Sequence, residues 1–342
     1  MFRACADWTT MRKPLRSVGS KGTRCAVRRA ALWGILASAV IALRAGDQPQ
    51  WGQAWTRNLV SDETGLPDSF DTKLGRNVKW VAELGSEAHS TPVVAAGRVF
   101  VGTNNDQPRD PKHQGDRGVL MCFAEQTGQF LWQLVVPKRD EDPYFDWPRS
   151  GISSPATVEG NRVYIVNNRG EVLSLDTEGM ANGNDGPYRE EGRHMSPANE
   201  PALEPGPTDA DIVWLFDLTS GAGIWSHDAA HSSILIHGDH LYLNTGTGVD
   251  NTHRRIRTPD APSLVVLDKK TGRLLARDQL GIGPRIFHST WSAPSMGTVK
   301  GRPLIFFAGG DAVIYAFEPL EGAPADGEVA TLKTVWQYDC DP

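Results

Sequence analysis

The sequence predicts an all-β protein, a β-propeller built from four-stranded antiparallel blades, and three observations support this. Short segments rich in Val, Leu, Ile and Tyr are bounded by Gly, Asp, Asn or Pro, which is the pattern of strands. Helical periodicity is hard to find beyond the N-terminal region. The same order of segments recurs four times, and a repeated unit of four short strands is typical of a propeller blade.

Each copy opens on a small-residue step, usually Ser-x-Pro. Two apolar strands follow, and the copy closes on Thr-Gly-x-x-x-Trp or a relative of it. The four steps begin at Ser90, Ser153, Ser232 and Ser292, and their uneven spacing indicates loops of different length between the strands. Because one blade cannot bury both faces of its sheet, we expect the blades to stack side by side around an axis.

Tryptophan ends the last strand in three of the copies, at Trp132, Trp214 and Trp336. An indole at this position supplies a large apolar surface between neighbouring sheets, so we expect these three residues to be structural docking residues. The third copy has Ala276 in the same place. We therefore expect one contact between blades to be weaker or differently filled.

The segments Cys122–Trp132 and Val266–Arg273 resemble the tryptophan-docking repeats of the pyrroloquinoline quinone (PQQ)-like propeller superfamily. The resemblance extends from about residue 79 to the C-terminus. It implies a fold shared by quinoprotein alcohol dehydrogenases and by the non-enzymatic outer-membrane assembly lipoprotein of the BamB type. The segments Asp146–Gly151 and His227–Ser233 are similar to segments of secreted planctomycete-type propellers. This similarity implies no particular reaction.

Four blades are recognisable, whereas the resemblance implies the larger blade numbers within the range of about four to eight. We therefore expect a part of a seven- or eight-bladed ring, with the propeller at residues 79–342 and incomplete at its C-terminus. Residues 46–78 are expected to be a linker.

The N-terminal residues 1–45 are predicted to be a signal peptide or an N-terminal anchor. Several Lys and Arg residues precede the apolar run from Ala30 to Leu43, which is the order found in secretory signals. That run is shorter than the roughly 20 residues needed to span a bilayer. The sequence thus predicts an exported protein, periplasmic or extracellular, with membrane association through this segment alone.

Charge and cysteine content narrow the function classes. The formal net charge is −6, and no basic stripe remains outside the N-terminus, so nucleic-acid binding is not expected. Two of the four cysteines lie in the predicted signal, and the other two, Cys122 and Cys340, are far apart. They form neither a disulfide framework nor the adjacent pair that the resemblance implies for a quinoprotein dehydrogenase.

The insertion within the second copy contains a candidate calcium site. Closely spaced carboxylate and amide oxygens on a glycine-rich loop are ligands that Ca²⁺ accepts, although their spacing is not that of an EF-hand. A solvated loop shaped by Asx turns explains the same residues. The candidate ligands are Asp176, Glu178, Asn182, Asn184 and Asp185.

The loops that lead into the inner strands are expected to cluster at one mouth of the central channel, where propeller ligands commonly bind. Imidazole and carboxylate groups there suit a transition metal or proton transfer, and paired guanidinium groups suit a carboxylate or sulfate ligand. Alternatively, these side chains cap turns and satisfy the loop backbone. The candidate mouth residues are Arg149, His227, Asp228, His231, Arg285 and His288, with His253 nearby in the next long loop.

Three function classes remain. The first is an exported scaffold that binds a protein or another ligand. No reaction is assigned to it, because the Gly-x-Ser-x-Gly, phosphate-loop and His-Glu-x-x-His motifs of common enzyme classes are absent from the sequence. The second is a module that binds a glycan or small acid. The third is a PQQ- or Ca²⁺-dependent oxidoreductase. Bound PQQ is not expected, because neither the cysteine pair nor the calcium set of such enzymes can be placed.

Overall fold

The computed structural model describes residues 46–139, 145–228, 231–286 and 288–341, together with the backbone of a two-residue strand, β1 (Arg3–Ala4), which pairs with β2 (Trp80–Val81). The predicted signal or anchor otherwise lies outside the described residues. Within the part of the chain that is described, we find no helix with the length and apolarity needed to cross a bilayer.

The remaining strands form four sheets, one for each repeat copy. The first blade contains β3 (Val93–Ala95), β4 (Arg98–Asn104), β5 (Arg117–Ala124) and β6 (Phe130–Pro137). The second contains β7 (Thr157–Glu159), β8 (Arg162–Val166), β9 (Glu171–Asp176) and β10 (Ile212–Asp217). Two short helices flank β10, namely α1 (Glu191–His194) and α2 (Leu218–Ala222).

The third blade contains β11 (Leu235–His237), β12 (His240–Asn244), β13 (Leu264–Asp268) and β14 (Leu274–Arg277). The fourth contains β15 (Ser295–Val299), β16 (Arg302–Ala308) and β17 (Val313–Phe317), and then β19 (Thr334–Asp339) at its outer edge. Strand β18 (Ala330–Thr331) precedes β19 in the chain but joins the third blade. Each blade thus contains four antiparallel strands, and the third blade carries β18 as an additional, parallel strand. The prediction of an all-β propeller with four-stranded blades is confirmed.

Indoles join the first three blades. The side chain of Trp132 is 1% exposed, and its Nε1 donates to the Thr177 carbonyl of the second blade at 2.9 Å. Its ring covers Gly179, where a Cβ would lie only 2.7 Å from the indole. Trp214 repeats this arrangement on the third blade, above Gly272. Both glycines have positive φ, so the turn and the close approach of the ring require the same residue type.

Trp80, in β2, occupies the same position against the first blade. Its Nε1 donates to the Glu125 carbonyl at 2.7 Å, and its ring covers Gly128. The sequence analysis did not identify Trp80 as a docking residue. The signal was present, since Lys79-Trp80 precedes the Thr-Gly turn of the first blade as Trp132 precedes the turn at Gly179.

Trp336 has a different environment from Trp132 and Trp214. It is 39% exposed, and its ring lies against Phe306 of its own blade, with the centroids 5.8 Å apart. Every residue of β19 is exposed. Among the described residues, Trp336 therefore packs within the fourth sheet and does not join that sheet to another one.

A fifth strand fills the place that the missing tryptophan leaves on the third blade. Ala276 is fully buried, and β18 pairs in parallel with β14 beside it. Leu332, the residue after β18, is buried as well. The contact expected to be weaker or differently filled is thus filled by the loop that precedes the last strand of the fourth blade.

Residues 48–57, within the expected linker, lie along the inner strands of all four blades. Gln48 forms a bridge with Val94 of β3, and the Pro49 carbonyl accepts from the Val158 amide of β7 at 2.7 Å. Trp55 donates through Nε1 to the Ile236 carbonyl of β11 and accepts from the Met296 amide of β15. We call residues 48–57 the axial segment. The extent of the ring and the C-terminal incompleteness of the propeller stay predictions.

The serines of the repeated steps connect successive blades beside the axis. Ser90 Oγ donates to the Ser154 carbonyl at 3.2 Å, and Ser154 Oγ donates to the Ser232 carbonyl at 3.1 Å. A small hydroxyl residue in the step thus satisfies a backbone carbonyl of the next blade, which explains why the motif recurs.

Candidate ligand site at the channel mouth

Strand direction determines which loops share an end of the molecule. Because antiparallel strands alternate in direction, the connections into the inner strands lie at the same end as those between the second and third strands. The first set comprises residues 138–156, 218–234 and 278–294, and the second comprises 105–116, 167–170, 245–263 and 309–312. We call this end the channel mouth, and all the candidate mouth residues belong to these loops.

A cavity of about 490 Å³ lies at the channel mouth. Trp51 and Arg57 of the axial segment line it, together with His89, Trp291 and residues of the four small-residue steps. Its lining therefore combines hydroxyl groups, two indoles and a guanidinium group, and includes no carboxylate.

Arg57 is the charged group in this cavity. Its side chain is buried, with the residue 8% exposed, and its nitrogens donate to the carbonyls of Trp51, Ser233 and Pro294 and to Ser233 Oγ at 3.0–3.2 Å. Within the described residues, no carboxylate lies within 4.0 Å of the guanidinium group. Burial lowers the pKa of Arg57 to about 10, so the group stays cationic at neutral pH. Sequence reasoning missed Arg57 because it lies in a stretch without strand periodicity.

The two predicted mouth arginines are neutralised by their own carboxylates. Arg149 Nε donates to Asp106 Oδ2 at 2.7 Å, and Arg285 Nη2 donates to Asp311 Oδ2 at 2.7 Å and to the Tyr315 hydroxyl. Both side chains are about half exposed. The structure does not place either arginine in the lining of the cavity.

Three histidines from three different loops meet beside the cavity. The ring centroids of His227 and His288 are 4.4 Å apart, and His253 lies 5.0 and 5.1 Å from them. His288 also lies 5.0 Å from Trp291, which connects the cluster to the cavity. Burial lowers the pKa of His227, as do the neighbouring histidines, while Asp228 opposes the shift.

His231, another predicted mouth residue, lies apart from this cluster. Its Nε2 lies 3.0 Å from Ser226 Oγ, and burial lowers its pKa to about 3. A buried, neutral ring that is hydrogen-bonded to a loop hydroxyl fits the structural alternative raised from the sequence.

The candidate calcium ligands mostly bond to arginines and to one another. Asp176 pairs with Arg162, Glu178 with Arg98, and Asn184 accepts from Arg189. Asn182 donates to Asp185 Oδ2 at 3.0 Å. Among the described residues, Asp176, Glu178 and Asp185 do not form a group of mutually close carboxylate oxygens. Calcium binding by this loop stays a prediction.

A second, basic cleft of about 450 Å³ lies at the same end, beside α1. At its base, Glu171 Oε2 accepts from Asn167 and lies 2.8 Å from His194 Nε2. Burial raises the pKa of Glu171, but hydrogen bonds with His194 and Asn167 and the charges of His194 and Arg169 together outweigh burial and lower the pKa to about 2. Lys138, Arg139, Arg169 and Arg193 also line the cleft.

Replacing Glu171 with Gln is expected to lower the free energy of unfolding at pH 7 by roughly 3–4 kcal/mol, since the pKa falls from 4.5 to about 2 and one pKa unit corresponds to about 1.4 kcal/mol. Because the pKa is depressed in the folded state, this contribution is complete above about pH 4.5 and is lost as the pH falls towards 2. Urea unfolding at several pH values between 7 and 2.5 would measure it. The exposed Glu159→Gln is the control, and an equal pH dependence in wild type and Glu171→Gln would contradict the prediction.

Comparison with known proteins agrees with this fold. The model of the family described as outer membrane protein assembly factor BamB matches residues 59–184 and 116–318. No curated protein matches the chain significantly. The resemblance to the PQQ-like propeller superfamily is thus confirmed, whereas the similarity to planctomycete-type propellers stays a prediction.

Three solved structures illustrate the similarity. The quinohemoprotein alcohol dehydrogenase ADHIIG from Pseudomonas putida is 16% identical, with a TM-score of 0.42 over 73% of this chain and 34% of that one. BamB from Moraxella catarrhalis is 13% identical, with a TM-score of 0.35 over 75% and 50%. A europium-containing methanol dehydrogenase is 12% identical, with a TM-score of 0.37 over 72% and 44%.

The aligned region thus spans about a third to a half of the length of these three proteins. The family model covers most of the chain, from residue 59, just after the axial segment, to residue 318 in the fourth blade. The chain therefore belongs to the BamB-like family of PQQ-like β-propeller proteins.

Proposed function

We propose that the chain is an exported ligand-binding scaffold whose channel mouth holds a small anionic molecule of the class of uronic or sulfated sugars. The observation that carries the proposal is Arg57, a buried cation in the lining of an open cavity, with only neutral oxygens as partners. Buried charges are usually paired, so a ligand carboxylate or sulfate would supply the missing countercharge.

The rest of the lining fits the same class of ligand. Trp51 and Trp291 offer aromatic faces against which the apolar face of a sugar ring packs, and the serine steps offer hydroxyl groups for its polar edge. The Arg57 guanidinium group already donates four hydrogen bonds within the protein, so one of its five N–H groups, on Nη2, remains for a ligand oxygen. A hydrogen bond between that N–H and a carboxylate or sulfate oxygen is assisted by charge, which strengthens it.

Calorimetric titration of the chain with glucuronate, a sulfated monosaccharide and glucose tests the proposal. We expect saturable binding of the two anions, and binding of neutral glucose at least tenfold weaker, a difference of about 1.4 kcal/mol. The affinity for the anions should fall as the salt concentration rises. Equal binding of glucose and glucuronate, or no binding of either anion, would overturn the proposal.

The same titration is repeated with PQQ, which also carries carboxylates, in the presence and absence of Ca²⁺. It tests the alternative that the sequence left open, a quinone-dependent oxidoreductase. Tight binding of PQQ with a change in quinone absorbance, and no binding of the sugar acids, would favour that alternative. The quinone would then need a binding site without an adjacent cysteine pair, since the sequence has no such pair.

A second candidate function, protein interaction, is favoured by the outer strand of the fourth blade. Val335, Trp336 and Tyr338 are exposed along β19. An exposed apolar edge strand is a template for pairing with a strand of another chain. Light scattering of the wild type and of Tyr338→Lys would detect such association, which should weaken in the variant.

A further inference from the structure

We propose that His227, His253 and His288 form a binding site for one divalent transition-metal ion, of the class Zn²⁺, Cu²⁺ or Ni²⁺. Each residue offers one ring nitrogen, and the three nitrogens lie within 4.8 Å of one another. Three ligands around a metal at the usual Zn–N distance of about 2.0–2.1 Å are separated by roughly 3–4 Å, so only small side-chain movements are needed. The site is separate from the anion proposal and does not depend on it.

Backbone pairing holds the three loops together. Ser226 bridges Thr247, Gly248 bridges Ser289, and Val249 bridges Ile256. The His227 amide donates to the Gly246 carbonyl at 3.0 Å, and the Val249 amide donates to the His288 carbonyl at 2.8 Å. The positions of the histidines are thus set by a small β network, and a preformed ligand arrangement favours binding.

Gly248 allows two of these loops to approach each other. A Cβ at this position would lie 2.5 Å from the His288 carbonyl oxygen and 2.8 Å from the His227 Cβ. A larger residue would therefore push His227 and His288 apart.

The cluster contains buried ring nitrogens that have no hydrogen-bond partner. His227 is 1% exposed, and its Nε2 is buried without such a partner, with Asp228 Oδ2 at 3.4 Å. His288 Nδ1 is also buried and unpartnered. A polar atom that is buried without a partner costs free energy, and coordination of a metal would satisfy it.

The ligand set selects the type of metal. Imidazole nitrogens suit Zn, Cu and Ni, whereas Ca²⁺ and Mg²⁺ prefer oxygen ligands. His253 is exposed and His288 half-buried, so solvent reaches the cluster from one side. Three protein ligands with an accessible fourth position are typical of metal sites that bind water or a small ligand. Asp228, beside His227, is placed to orient that ligand or the imidazole.

Among the described residues, one other cluster offers three metal-binding groups, namely Asp110, His113 and Asp209. There the Lys112 ammonium group already lies 2.5 Å from Asp209 Oδ2. A cation is thus supplied by the protein itself, which disfavours a metal in that position.

The test uses the chain freed of metal by chelation, titrated with Zn²⁺ against a chromophoric competitor and separately with Co²⁺. We expect one ion per chain and visible Co²⁺ absorption bands typical of four- or five-coordinate nitrogen ligation. His253→Ala should lower Zn²⁺ affinity at least about 100-fold, since loss of an outer-shell partner alone costs about 10–100-fold. Because His253 is exposed, we expect its replacement to leave the core packing unchanged. Circular dichroism checks that the variant is folded.

His237→Ala is the matched control, because His237 lies in β11, outside the cluster. It should bind Zn²⁺ as the wild type does. Failure of the wild type to bind Zn²⁺ and Co²⁺, or equal binding by wild type and His253→Ala, would overturn the proposal. His288→Gln provides a second variant, which should also lose the Co²⁺ absorption bands. Its binding of glucuronate should be retained, which would show that the metal site and the anion site are separate.

Discussion

Replacing Trp132 with alanine is expected to lower the free energy of unfolding by about 3–5 kcal/mol, the range observed when a buried aromatic side chain is removed. The indole lies between the first and second blades, donates to the Thr177 carbonyl and covers Gly179. Its loss leaves a cavity between two sheets and a carbonyl without its partner. Guanidinium unfolding followed by circular dichroism would measure the change.

Trp336→Ala is the matched control, since it removes the same side chain from the corresponding strand of another blade. Because Trp336 is 39% exposed and contacts Phe306 of its own sheet, we expect a loss of about 1 kcal/mol or less. Equal losses for the two variants would contradict the conclusion that Trp132 joins two blades and Trp336 does not.

Replacing Arg57 with methionine is expected to weaken glucuronate binding by at least about 100-fold, or roughly 2.7 kcal/mol, because the cation that faces the ligand is lost. Stability should fall as well, by about 2–4 kcal/mol, since the carbonyls of Ser233 and Pro294 lose a buried donor. Calorimetry and urea unfolding would measure the two effects separately. Arg302→Met removes an exposed guanidinium group in β16 and should change neither quantity appreciably.

Arg57→Lys makes the prediction testable even if the methionine variant does not fold. Lysine keeps the charge but cannot reproduce the fork that reaches Trp51, Ser233 and Pro294 together. We expect intermediate affinity for the anion. Affinity equal to that of the wild type in a folded Arg57→Met variant would show that the mouth does not bind acids through this residue.

The blades could be predicted from the sequence because their pattern is local. The strand segments, the turn glycines and the closing tryptophans recur in a fixed order, and each copy folds into one sheet. The parallel strand β18 could not be predicted in the same way. Its partner β14 lies more than fifty residues earlier in the chain, and two residues of strand carry little periodic signal.

The residues of the channel mouth could be predicted in part, because the repeat shows which loops occupy equivalent positions. Equivalent positions in the loops indicated that His227 and His288 would lie at the same end of the molecule. The structure brings their rings together with that of His253, which the sequence placed only in the next long loop. The pairing of Arg149 with Asp106 and of Arg285 with Asp311 depends on acids in other loops, which no spacing reveals. Arg57 reaches the cavity only because the axial segment crosses the inner strands.

A crystal structure of the chain with glucuronate bound would show whether the channel mouth binds an acid through Arg57. We expect one carboxylate oxygen at about 2.7–2.9 Å from Arg57 Nη2, the usual length of such charged hydrogen bonds, with the sugar ring against Trp51 or Trp291. A carboxylate bound instead in the basic cleft beside Glu171 and Arg193, or an empty mouth at saturating glucuronate, would contradict it.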